Sequence, residues 1–219
     1  MKKLNFTIFS RLLFCLAFVS IFFSCAAAPK AREPLPPEIP EIVERPARPC
    51  VPEYIMGRGL VPPAEMAAFL LFSNPGADRN FVEKLAILYV EEAAIEGVNH
   101  DVAFAQMSLE TGFLRFGNLV TPEQNNFAGL GATGLPGPHG PERGLYFPDP
   151  RIGVRAHIQH LKAYACTAPL EQELVNPRYR FVRRGSSPTI WGLAGTWAAD
   201  PDYAHKINNI LERLYNFYF

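Results

Sequence analysis

The stretch AFAQMSLETGFLRFGN, Ala103 to Asn118, constrains this chain more than any other. Apolar residues dominate its first half, and a single glutamate, Glu110, stands just before Thr111-Gly112. On a helix, Gln106 and Met107 lie one turn back on the face of Glu110, and Phe113 and Leu114 would lie one turn on if the helix continued. A carboxyl group among such neighbours is partly desolvated, which disfavours its charged form and raises its pKa. A carboxylic acid still protonated near neutral pH is what glycoside hydrolysis needs from its general acid. Spacing alone also fits a glutamate that ends a helix in solvent, because most helix glutamates are solvated.

The remainder of the chain is punctuated as a helical protein. Pro63 opens a helix through Phe72, which Pro75-Gly76 ends. Asp78 caps the next, where Val82, Leu85, Ala86, Tyr89 and Ala93 form one stripe as far as Glu96, and Gly97 closes it. Asn99 caps the helix that carries Glu110. Asp149-Pro150 is a cap and first position of a helix running to Cys166. The last helix has apolar residues at Tyr203, Ile207, Ile210, Leu211, Leu214 and Tyr218, a 3.6-residue period. Between these helices, Gly129 to Gly144 holds six glycines and three prolines. That composition predicts an irregular, mobile lobe or short hairpin. Periodicity by itself says only that the domain is all-α, and 48% apolar content is enough for a core.

The N-terminus has the pattern of an export signal. Lys2 and Lys3 precede an apolar run of 12 residues, Leu12 to Phe23, too short to span a membrane comfortably. Ser24-Cys25 follows, a small residue and then cysteine, which resembles a lipoprotein signal with Cys25 as the lipidation site. Cleavage after Ala28 also fits the small-residue rule, but leaves Pro29 as the first mature residue. Eight prolines between Pro29 and Pro52 read as a semi-rigid spacer. The expected organisation is therefore a signal over 1–24, a spacer over 25–53 and a folded domain over 54–219. Cys50 and Cys166 could pair in an oxidising compartment or stay free as buried thiols. The first 24 residues hold three basic residues (Lys2, Lys3, Arg11) and no acidic one; without them the chain has 18 basic against 21 acidic residues, a net of −3. That balance gives no electrostatic case for nucleic acid as a partner.

Four segments occur in a telling order: Glu110-Thr-Gly; Phe116-Gly117; Asn125-Asn126-Phe127-Ala128-Gly129-Leu130; and Trp197-Ala-Ala-Asp200-Pro-Asp-Tyr203-Ala-His-Lys-Ile207. Over roughly Pro62 to Phe219 this order resembles the glucosaminidase family of bacterial cell-wall hydrolases, glycoside hydrolase family 73. One departure is Trp197, where that family usually has tyrosine. The resemblance implies a lysozyme-like fold, mainly α, with a small flexible lobe over a cleft. It implies cleavage of β-1,4 bonds at N-acetylglucosamine in peptidoglycan or a related polymer, with Glu110 as the general acid and no cofactor or metal.

Glycosidases usually need a second carboxylate. Glu123, beside Pro122, suits a helix-start dipole role, and Asp149 suits a cap. Glu142 has no structural duty in its Gly/Pro-rich lobe and is the nearest counterpart of the family's second glutamate. Family members without that residue are thought to use the substrate's own 2-acetamido group. Substrate contacts are expected from Gln106, Asn125, Asn126, Phe127, Trp197 and Tyr203. For Tyr203 core packing is the competing role, and turn propensity accounts for one of the asparagines. His157 and His160, at i and i+3, could bind zinc, but no third ligand is evident. Arg178 to Arg184 could meet an anionic polymer or simply form a solvated turn. Two other readings remain open: a lytic transglycosylase on a similar fold, and a non-catalytic wall-binding lipoprotein. The expected location is the cell envelope, anchored in a membrane by lipid and facing the periplasm or the exterior.

Overall fold

A computed structural model describes residues 47–137 and 140–219. The signal, Cys25 and most of the spacer lie outside the described residues. Five helices build the domain: α1 (Pro63–Ser73), α2 (Arg79–Glu96), α3 (His100–Glu110), α4 (Pro150–Ala165) and α5 (Tyr203–Tyr218). Two strands of two residues each, β1 (Pro136–Gly137) and β2 (Gly140–Pro141), pair antiparallel in the Gly/Pro-rich lobe. The mainly α fold class with a small hairpin lobe is thus the one expected.

The helix starts follow from local chemistry. Asp78 accepts a hydrogen bond from the Phe81 amide, Asn99 from the amides of Asp101 and Val102, and Asp149 from that of Ile152 at 3.0 Å. Each satisfies amides that a helix start leaves without partners. Gly97 ends α2 at φ 72°, a left-handed position that costs glycine little.

Helix α3 forms the middle of the core. Every residue from His100 to Ser108 is buried, polar ones included. It packs on α5 and α2, while α2 packs on α1 and α4. A helix enclosed on all sides carries no amphipathic stripe, so its polar residues must find partners inside. Asp101 does so completely: it accepts from the amides of Leu60 (2.7 Å) and Val61 (3.2 Å) and from the Tyr215 hydroxyl (2.8 Å). That contact ties the segment before α1, α3 and α5 together.

The packed unit begins before Tyr54. Arg48 pairs with Glu212, and the Glu53 carbonyl accepts from the Ile190 amide. Cys50 is an exposed free thiol and Cys166 a half-buried one, so the structure shows neither a disulfide between them nor two buried thiols.

Candidate active site

Helix α3 stops abruptly at Glu110. The Thr111 hydroxyl donates to the Met107 carbonyl and accepts from the Leu114 amide, closing the last turn. Beyond it the chain turns left-handed: Phe113, Leu114 and Phe116 have φ of 57°, 62° and 53°. Three such non-glycine residues in one short segment cost on the order of 1–2 kcal/mol each. Burial offsets part of this, since Phe113 packs edge-on against Phe69 at 6.0 Å. Phe113 and Leu114 therefore do not continue the face of Glu110, and the carboxyl is left at a free helix end.

The surroundings of that carboxyl come from far along the chain. Trp197 Nε1 donates to Glu110 Oε1 at 3.0 Å, and the Tyr203 hydroxyl, from the first turn of α5, donates to the same oxygen. Burial raises the pKa of Glu110; the hydrogen bonds from Tyr203 and Trp197 pull the other way, and burial prevails. Burial and the adjacent Glu110 charge hold the Tyr203 hydroxyl well above its ordinary range, so it stays protonated.

Glu110 opens on a cavity of about 180 Å³ bordered by Phe116, Leu119, Asn126, Gly129 and Ala132. Gly129 and Ala132 also border a 270 Å³ cavity lined by His160, Tyr164, Arg178 and Trp197. Gly131 and Arg178 in turn border a 280 Å³ recess that contains Glu142. The loop 129–132 and Arg178 thus link three recesses, with Glu110 at one end and Glu142 at the other. A larger cavity of about 580 Å³, between the segment before α1 and α2, has no carboxylate in its lining.

The residues expected at the site divide into three groups. Glu110, Trp197 and Tyr203 meet directly. Asn125, Asn126 and Phe127 form the loop beneath: Asn126 spends its amide on the Leu130 and Leu145 carbonyls and its oxygen on the Leu130 amide. It still borders the Glu110 cavity. Asn125, at φ 49°, donates to the Phe147 carbonyl. Phe127 is 1% exposed, in the core against Phe81, and offers a sugar no surface. Gln106 is fully buried with both amide ends occupied, so its link to Glu110 runs through Tyr203 instead of through substrate. These two placements differ from the expected substrate contact for separate reasons: α3 is enclosed, so Gln106 looks into the protein, and the ring of Phe127 fills the core beside Phe81. Glu142 stands apart on the lobe, exposed, with Oε2 accepting from the Thr133 hydroxyl at 2.6 Å.

Gly153 on α4 makes the loop possible. A Cβ there would lie 1.8 Å from the Asn125 carbonyl oxygen, so only glycine lets the loop approach α4 this closely.

Sequence reasoning missed the use of two residues. By sequence Tyr89 belongs to the α2 stripe and His157 to a pair at zinc-ligand spacing. Both are fully buried and hydrogen-bonded to each other at 2.9 Å, and the second nitrogen of His157 is bonded to Gln106. The available signal was the buried face of α4, on which His157 falls.

A half-buried carboxyl whose pKa is raised thus stands at a helix end and opens on a cleft of a mainly α scaffold. The family model for glucosaminidase, described as mannosyl-glycoprotein endo-beta-N-acetylglucosaminidase, matches residues 86–216, and the chain belongs to that family. A protein of Borreliella burgdorferi with no assigned function is 42% identical over 161 residues, spanning 74% of this chain and 76% of that one. Among solved structures, the catalytic domain of the autolysin Auto from Listeria monocytogenes is similar with a TM-score of 0.39 and 15% identity, over 72% of this chain and 88% of that one.

Proposed function

We propose that this chain is an exported, lipid-anchored hydrolase of peptidoglycan that cleaves the β-1,4 bond following N-acetylglucosamine. One observation carries the reading. Glu110 is half-buried, carries neutral donors on Oε1 and lines the cleft. Such a group is an acid rather than a fixed charge.

Glu110 gives its proton to the leaving oxygen as the glycosidic bond breaks. The carboxylate that results is received by two donors already in place, Trp197 Nε1–H and the Tyr203 hydroxyl, so no reorganisation is needed. Water then adds to the anomeric carbon. Glu142 takes the proton of that water across the cleft, or the substrate's 2-acetamido group provides the assistance. The position of Glu142, exposed on a recess that adjoins the same groove, favours a role on the far side of the sugar. Trp197, which borders the middle recess, and Arg178 beside it offer a surface for the glycan.

Mass spectrometry of purified cell wall digested with the 54–219 domain plus its preceding spacer tests the bond. Reducing N-acetylglucosamine ends are expected. Anhydro-muramic ends would instead identify a lytic transglycosylase, and the absence of any product a non-catalytic wall-binding protein. For the anchor, Cys25→Ala should abolish lipid labelling and release the protein from membranes; a mature protein beginning at Pro29 would overturn that part.

A further inference from the structure

Behind Glu110 runs a chain of buried side chains that crosses four helices. Tyr89 on α2 contacts His157 Nδ1 on α4 at 2.9 Å. His157 Nε2 contacts Gln106 Oε1 on α3 at 2.9 Å. Gln106 Nε2 contacts the Tyr203 hydroxyl on α5 at 2.8 Å, and that hydroxyl reaches Glu110 Oε1. Tyr89, His157 and Gln106 are each 0% exposed, and Tyr203 is 5% exposed.

Every link in such a chain has a direction, and two can be imagined. In one, each group donates toward Glu110. In the other, Glu110 donates to Tyr203 and each group donates toward Tyr89. The ends of the chain decide between them. Among the described residues, the Tyr89 hydroxyl has a single partner, His157. In the second direction its hydrogen would point into the core with no acceptor, a cost of about 1–3 kcal/mol. A hydroxyl that donates its hydrogen and leaves a lone pair idle loses less. At the other end, Trp197 Nε1 is a donor only, and it already occupies Glu110 Oε1. A proton on that oxygen would face it. Both ends select the first direction.

We propose that this chain positions the proton on Glu110. It holds His157 as the neutral tautomer with hydrogen on Nε2, orients the Gln106 amide, commits the Tyr203 hydroxyl to donate to Oε1, and so leaves Oε2 as the oxygen that carries the transferable proton. Tyr89, His157 and Gln106 are positioning residues, since none touches the cleft at Glu110. Oε2 is the oxygen able to reach substrate: among the described residues the only buried side-chain polar atom with no partner is Nε of Arg184, so Oε2, which has no protein partner, is accessible from the cleft. After transfer, the negative charge on the carboxylate is met by donors aligned toward it along the whole chain.

The ionisable groups around the chain are compatible with this. Burial, with His160 beside it, lowers His157 to about 3, so its ring is neutral at the pH of the reaction. Burial, with Arg178 nearby, lowers His160 on the same helix to about 4. Burial raises Tyr89, and raises Tyr164 against the pull of Arg178. The permanent charge of Arg178 acts on His160 and Tyr164.

The proposal rests on Glu110 being the acid, but its first test is independent of activity. Histidine ring nitrogens of the whole protein, labelled with 15N and assigned through the backbone, should show His157 neutral at pH 7 with hydrogen on Nε2 and an acceptor at Nδ1. A His157 ring with hydrogen on Nδ1, or one protonated at pH 7, overturns the proposal whatever the enzyme does. The second test is the pH profile of kcat on purified peptidoglycan. His157→Phe frees Gln106 to turn and accept from Tyr203, so Glu110 loses a donor, becomes a weaker acid and stays protonated to higher pH. Its basic limb should move up by about one pH unit. His157→Gln, whose amide can donate to Gln106, should bring it back. A folded His157→Phe with an unmoved limb overturns the proposal. If that variant does not fold, the tautomer measurement on the wild type decides alone. An active Glu110→Gln would sink the catalytic reading while leaving the tautomer result to stand or fall separately.

Discussion

Two regions of this domain draw carboxylates out of water, one fully and one in part, and they treat them in opposite ways. On the α2–α4 face, Glu92 is fully buried and meets Arg151 at 2.8 Å and Arg155 at 2.9 Å. Glu96, one turn on, meets Lys162 at 2.8 Å and accepts from the amides of Glu171 and Gln172. Burial pushes Glu92 up, but the hydrogen bonds from Arg155, Gln172 and Arg151 outweigh it and hold the carboxyl below its ordinary range. On the α3–α5 face, Glu110 is met by a phenol and an indole, neither charged, and burial wins. Cations make a buried carboxylate a permanent anion, useful as a fastener. Neutral donors leave it able to hold a proton and lose it, which is useful for chemistry. The kind of partner, more than the depth of burial, separates structural glutamates from the candidate acid.

The sharpest break of this comparison is to replace each carboxylate's function in turn. Glu110→Gln keeps size and polarity but cannot transfer a proton; kcat on purified peptidoglycan is expected to fall by about two to four orders of magnitude with the fold retained. Activity near wild type would end the catalytic reading. Glu142→Gln should lower kcat strongly with KM little changed if Glu142 handles water. A silent variant there would transfer that role to the substrate's acetamido group.

The fasteners should respond in stability instead. Lys162→Met removes the buried cation opposite Glu96, and urea unfolding should show a loss of about 3–5 kcal/mol, with kcat per folded molecule nearly unchanged. A stability loss below about 1 kcal/mol would mean that the two backbone amides suffice for Glu96.

Acid should separate the regions more gently. His157 and His160 stay neutral in the fold down to about 3 and about 4, whereas the unfolded chain protonates them near 6.5. The unfolded state therefore binds more protons, and stability falls as pH drops from about 6.5. Glu92 adds a further loss below its ordinary value of 4.5, because its contribution is full above that pH and disappears as pH falls through its lowered folded pKa. Glu110 works the other way: its raised pKa lets the folded state take up a proton first. Calorimetry should thus show Tm falling between pH 6.5 and 4.5, and falling more steeply in Glu110→Gln. A shallower slope in that variant would contradict the raised pKa. The smallest effect is expected from Asp149→Asn, a change of helix cap costing about 1 kcal/mol or less, read by the same unfolding measurement.

Much of the scaffold was legible because it is local. Asp78, Gly97, Asn99 and Asp149-Pro150 mark helix ends through interactions with amides and carbonyls within a few residues. Glu110 was legible as well, since its helix, its apolar neighbours and the glycine after it all fall within one short segment. The fastening glutamates were not. Nothing local marks Glu92 or Glu96, because their partners lie roughly 60 to 80 residues further along the chain. Gln106 and Phe127 read as surface for a sugar, but α3 is enclosed and the loop 125–127 turns Phe127 into the core.

By itself, then, the sequence determined the number and ends of the main helices, the small Gly/Pro-rich lobe and the identity of the candidate acid, because each depends on neighbours along the chain. Tertiary structure alone decided what that acid can do. The donors on Oε1 come from residues 197 and 203, and the groups that orient them from residues 89, 106 and 157. A carboxyl's proton affinity is set by the charges, dipoles and water within a few ångströms of it, and only folding brings those residues within that distance.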